Sequence, residues 1–173
     1  MPEGDAHPGL PRPDGGPARV LVVDDQPLMR SGFRLILDGQ PDIEVVGEAR
    51  DGEEAVTQAR RLQPDVVLMD VRMPRLDGIA ATRLILAEAA PLTHVLVLTM
   101  FDLDEYVYGA LQAGASGFLL KDVSPEHLLV GIRLVAAGDQ LLAPSITRRL
   151  IERFSATRPG VATGATTGAL GRL

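Results

Sequence analysis

Five short apolar runs, each followed by a segment of helical spacing, constrain this chain more than any other feature. The runs are 19–24 (RVLVVD), 43–48 (IEVVGE), 65–70 (DVVLMD), 94–99 (HVLVLT) and 116–120 (SGFLL). Stretches such as VLVV and VVLM do not alternate apolar with polar residues. A strand of that kind must be covered on both faces, which is the mark of a parallel sheet packed between helices.

The spacers read as helices. Leu28, Phe33, Leu35, Ile36 and Leu37 line the first, about 27–38. Asp51 is an N-cap for the second, with Glu54 three residues on and Ala55, Val56, Ala59 and Leu62 as its apolar positions. The third covers about 77–89 with Ile79, Leu84, Ile85 and Leu86. The fourth covers about 103–113 with Leu103, Val107, Ala110 and Leu111, and Gly114 ends it. Ser124-Pro125-Glu126 opens the fifth, which ends near Gly138. Repeated βα units of this length imply an α/β, doubly wound parallel sheet with helices on both faces. Right-handed crossovers then place every strand's C-terminus along one edge, where such sheets bind ligands.

The residues at those strand ends carry chemistry. Asp24-Asp25 ends the first strand, Asp70 the third and Thr99 the fourth, and the fifth leads to Lys121. Glu48-Ala49-Arg50 ends the second and has no assigned role. Clustered carboxylates repel unless a cation intervenes, and hard oxygen donors at this density suit Mg²⁺. Taken singly, each residue has an ordinary explanation: an Asp after a strand forms turns or caps, a Thr suits a strand, a Lys suits the surface. Their convergence on one edge is what singles them out. Composition sharpens the point, because the chain holds 16 arginines and a single lysine, Lys121. A site that needs a compact point charge resists replacement by a planar fork.

Asp24-Asp25, Asp70 followed by Met73-Pro74 and Asp77-Gly78, Thr99, Phe118 and Lys121 together resemble the receiver domain of two-component response regulators. MDVRMPRLDGIAAT and ALQAGASGFLLKD resemble its NarL/FixJ, or LuxR-type, subfamily. The resemblance covers about residues 18–140 and implies the strand order 2-1-3-4-5. It implies that Asp70 is the phosphoacceptor, taking phosphate from a sensor histidine kinase. It implies Mg²⁺ held by Asp25 and Asp70, by Asp24 through water, and by the backbone carbonyl of Arg72. Thr99 and Lys121 would bind the phosphoryl oxygens, Lys121 pairing with Asp70 beforehand, and Thr99 with Phe118 would form the conformational switch. Homodimerisation on phosphorylation is implied too, and the candidate faces are the first helix with the fifth, or the fourth helix with the fifth strand and fifth helix, which share the fifth helix. That helix offers Leu128, Leu129, Ile132 and Val135, and one of Tyr106 and Tyr108 on the fourth is expected to be exposed.

Outside the domain, 1–17 is rich in Pro and Gly and reads as a disordered tail. Residues 141–155 contain an amphipathic linker helix (Ile146, Leu150, Ile151, Phe154), and 156–173 a flexible Gly/Thr-rich tail. No helix-turn-helix follows, and the net charge is −6. DNA is therefore expected as a partner only through an output domain of a longer parent protein. The chain has no cysteine, no signal peptide and no membrane-spanning run, which suits a cytoplasmic setting. Two other readings fit less well. A phosphatase-type hydrolase would carry a second Asp two residues after Asp70, where Arg72 stands. A flavin or dinucleotide binder would need a glycine-rich turn, where Asp24-Asp25-Gln26-Pro27 stands.

Overall fold

The structure is a computed structural model that describes residues 16–88, 93–100 and 104–141, together with Glu152. The expected tails apart from Gly16 and Pro17, Leu103, and all but two residues of the expected linker helix lie outside the described residues. In order, the elements are β1 (Ala18–Val23), α1 (Pro27–Asp38), β2 (Ile43–Ala49), α2 (Gly52–Leu62), β3 (Val66–Asp70), α3 (Gly78–Glu88), β4 (His94–Thr99), α4 (Asp104–Gln112), β5 (Gly117–Leu120) and α5 (Pro125–Ala136). The five strands pair in parallel in the order β2-β1-β3-β4-β5. No helix among the described residues is long and apolar enough to cross a membrane.

Because strand side chains alternate, each central strand feeds two cores. Val20 and Val22, Val66 and Leu68, and Leu96 and Leu98 pack with Phe33 and Leu37 of α1 and with Leu128, Ile132 and Val135 of α5. The intervening residues, among them Leu21, Val67, Met69, Val97 and Phe118, are buried as well. This accounts for runs that never alternate.

The caps behave as the residue types predict. Asp51 accepts from the Glu54 amide, Ser124 from the His127 amide and Asp77 from the Ala80 amide. Gly114 turns the chain at φ +101 after α4.

The apolar residues of α1 do not all face inward. Phe33 and Leu37 are buried, but Leu28 is 86% and Leu35 79% exposed. Positions seven apart share a face, and the face of Leu28 and Leu35 is turned away from that of Phe33 and Leu37. On α5, Leu128, Ile132 and Val135 are buried, and the exposed large apolar residue is Val130. Tyr106 and Tyr108 are both half-buried, so neither is the exposed ring expected.

Two irregularities interrupt the sheet. The β1–β2 register slips between Val20 and Leu21, which sets Glu48 beside Val22. Leu141 makes an isolated parallel bridge on the outer side of β5, donating its amide to Ser116 O and accepting from Phe118 N.

Candidate functional site

Every strand that contributes a site residue ends at the same edge of the sheet. β1 stops at Val23, so Asp24 and Asp25 begin the turn into α1. Oxygens of Asp24, Asp25 and Asp70 lie within 4.8 Å of one another. Lys121 joins them from β5: its Nζ is 2.5 Å from Asp24 Oδ2 and 3.1 Å from Asp70 Oδ1. The Lys121 amide also donates to the Thr99 carbonyl at 2.8 Å, which ties the ends of β4 and β5 together. Lys121 thus bridges two acids: it pairs with Asp70 as expected and lies nearer still to Asp24. An ammonium with three donors suits a place between two carboxylates better than a planar guanidinium does.

The three acids differ in surroundings. Asp24 is fully buried: Oδ1 accepts from the Gln26 amide at 2.9 Å, while Oδ2 meets the Lys121 ammonium and no further donor. Asp70 is 6% exposed, and its Oδ1 accepts from the Val71 amide at 2.9 Å. Asp25 is exposed and lines an open cleft of about 730 Å³ with Arg72, Met73, Pro74, Ile79 and Tyr106. The set fits a hard divalent cation. It has three converging carboxylates, one buried oxygen short of donors, and open space on the Asp25 side.

Burial, then the negative charge of Asp24, push the Asp70 carboxyl up to about 6, against the pull of Lys121. Burial would push the Lys121 ammonium down, but its hydrogen bond and charge interactions with Asp24 and Asp70 outweigh that and raise it. The Asp70 shift has a consequence for stability. An acid whose folded pKa exceeds the unfolded value of 3.8 costs stability once ionised. The cost is absent below that value, grows between 3.8 and about 6 as pH rises, and is complete above. Asp70→Asn is therefore expected to stabilise the metal-free protein by about 1–2 kcal/mol near pH 7.5, with the gain fading towards pH ~4. Urea denaturation in chelator at both pH values reads this, and an unstabilised variant near pH 7.5 contradicts it.

Thr99 is 2% exposed and Phe118 is fully buried on β5, next to Val97. Burial of Phe118 satisfies a core role and an inward switch position equally. Arg72 is exposed. Two features escaped the sequence reading. Arg30, one arginine among sixteen, reaches from α1 to the Asp24 carbonyl and to Glu48. Arg75, in the loop after Asp70, takes φ 70 and pairs with Asp51 at 3.2 Å. Nothing local marks either, since both depend on contacts with distant elements.

Comparison with known proteins agrees with this geometry. Residues 20–133 match the response regulator receiver domain model. The transcriptional regulatory protein YxjL of Bacillus subtilis is 45% identical over 139 residues, covering 80% of this chain. The chain spans 63% of that relative's length. A LuxR-family two-component response regulator from an Aurantimonas species superposes with a TM-score of 0.72 at 33% identity, covering 81% of this chain and 99% of that one. The isolated REC domain of RcsB from Salmonella enterica serovar Typhimurium, solved in the presence of the phosphomimetic BeF3⁻, gives 0.68 at 26% identity, with 77% and 98% covered. A family match that runs from β1 into α5 takes in every strand and every acid at the sheet edge, and it makes this chain a member of the response regulator receiver domain family.

Proposed function

We propose that this domain is a phospho-switch in which Asp70 accepts a phosphoryl group from a sensor histidine kinase. The observation that carries the reading is the Asp24–Lys121–Asp70 bridge beside the exposed Asp25. Asp70 Oδ1 is engaged by the Val71 amide and faces Lys121, so Oδ2 is the nucleophile. Oδ2 attacks phosphorus, the P–N bond to the kinase imidazole breaks, and that nitrogen keeps the electron pair. Lys121 holds one phosphoryl oxygen, and the Thr99 hydroxyl donates to another. Asp25 and Asp70 would hold Mg²⁺, with Asp24 and the Arg72 carbonyl assisting. When bound, the ion neutralises charge on the transferring group. The only chemistry the domain catalyses is its own phosphotransfer and dephosphorylation.

Movement of Thr99 towards the phosphate, with Phe118 following, alters the face around β5 and α5 and favours a homodimer. In a longer parent protein, pairing two receivers would bring two DNA-binding output domains together in the cytoplasm. The relatives' names as transcriptional regulators support that output.

A Mg²⁺ titration tests the centre of this reading. Asp25→Ala removes a direct ligand that nothing else replaces, so affinity is expected to fall at least about tenfold, with slower phosphorylation by acetyl phosphate. Unchanged affinity by calorimetry would place the metal elsewhere.

A further inference from the structure

We infer that Arg30 is a positioning residue for the metal-binding turn: held in orientation by Glu48, it fixes the backbone on which Asp25 sits. The inference rests on the metal reading above and gives a role to Glu48, the strand-end acid that reading leaves unused.

The geometry is a clamp on both peptide groups that adjoin Asp25. Ahead of it, the Asp24 carbonyl accepts from Arg30 Nη1 at 2.7 Å. After it, the Gln26 amide donates to Asp24 Oδ1 at 2.9 Å. A planar trans peptide held at its carbonyl has its amide direction set as well, so the Asp25 backbone has little freedom left. The exposed Asp25 side chain hangs from this held segment.

Arg30 is in turn held. Its Nε donates to Glu48 Oε1 at 3.0 Å, and Arg34 Nη1 takes Glu48 Oε2 at 2.8 Å. The Arg30 side chain is 18% exposed and that of Glu48 33%. The register slip in β1–β2 is what sets Glu48 beside Val22, two residues before Asp24. One planar guanidinium reaches a carboxylate and a carbonyl in two fixed directions, which an ammonium on a flexible stem does not do.

The sign of the effect separates positioning from plain electrostatics. Removing a cation close to an acidic site should tighten Mg²⁺ binding if charge alone matters. Loss of positioning should weaken it. Arg30→Met keeps most of the stem and removes the guanidinium. Its Mg²⁺ dissociation constant is expected to rise about tenfold, the usual scale for loss of a group that orients a ligand. In metal-free protein, amide hydrogen exchange at Asp25 and Gln26 is expected to speed up by a similar factor. Arg133→Met, which breaks the Arg133–Asp42 pair that ties α5 to the residue preceding β2, serves as the control for a lost surface pair. It is expected to leave both readouts unchanged.

If wild-type protein binds no Mg²⁺, the metal reading fails, and the exchange rates still decide whether Arg30 clamps the turn. Equal or tighter Mg²⁺ binding by a folded Arg30→Met variant overturns the inference. So does unchanged exchange at Asp25 and Gln26. If Arg30→Met does not fold, Arg30→Lys keeps charge and stem and is expected to weaken Mg²⁺ binding in the same direction. Wild-type affinity in that variant overturns the inference too.

Discussion

Acetyl phosphate or beryllofluoride with Mg²⁺ is expected to load the protein at Asp70 alone, and Asp70→Asn is expected to reduce that loading to background. The three acids of the edge are not equivalent acceptors. Asp24 is fully buried, with Oδ1 given to the Gln26 amide and Oδ2 facing Lys121. Asp25 is accessible, but Lys121 pairs with the other two acids, so charge developing on Asp25 would lack that partner. Asp70 retains a narrow opening to solvent, at 6% exposure, and has the ammonium 3.1 Å from one of its oxygens. A fixed cation at the point where charge develops is the main thing phosphoryl transfer asks of a protein. An asparagine amide oxygen carries no negative charge and does not attack phosphorus. Intact-mass measurement with peptide mapping reads the result. An increment that persists in the Asn variant, or maps to Asp24 or Asp25, contradicts the assignment.

The second large effect is one of packing. Gly78→Ala is expected to destabilise the domain by at least about 3 kcal/mol. A Cβ at Gly78 would sit 1.7 Å from the Asp70 carbonyl oxygen and 2.8 Å from its carbon. These are backbone atoms at the end of a buried strand, so no rotamer change relieves the clash. The Gly78 amide also donates to Val71 O at 2.7 Å, which holds the start of α3 against the end of β3. Separating the two would move Asp70 itself, so phosphorylation of any folded fraction should slow as well. Chemical denaturation measures the first effect, and a loss below about 1 kcal/mol would show that the segment yields more easily than its contacts indicate.

Much of this architecture was legible because the burial pattern repeats along the chain. Runs covered on both faces announce β1, β3 and β4, and the capping residues at Asp51, Asp77 and Ser124 mark helix starts through short-range bonds. The site acids were legible for a related reason, since a parallel sheet brings strand ends together whatever lies between them. The misreadings concern choices that local pattern does not make. Helix α1 has two apolar faces, and only packing decides that Phe33 goes in while Leu35 stays out. The expected Lys121–Asp70 pair is present, but the still closer pair with Asp24 is a choice among neighbouring acids that the sequence does not make. The Arg30–Glu48 contact spans 18 positions and depends on a register slip that no periodicity reports.

The Leu141 bridge has a consequence for self-association. A sheet's last strand carries free amide and carbonyl groups that can template pairing with another molecule. On β5 the Phe118 amide and the Ser116 carbonyl would be such groups, and Leu141 takes both. Its side chain lies against Gly117 and Gly131, close enough to meet a Cβ added at either. One residue therefore acts as a minimal sixth strand that blunts the margin. A version of the domain cut before Leu141 would expose a ragged β edge beside Phe118, where strand-to-strand aggregation could begin.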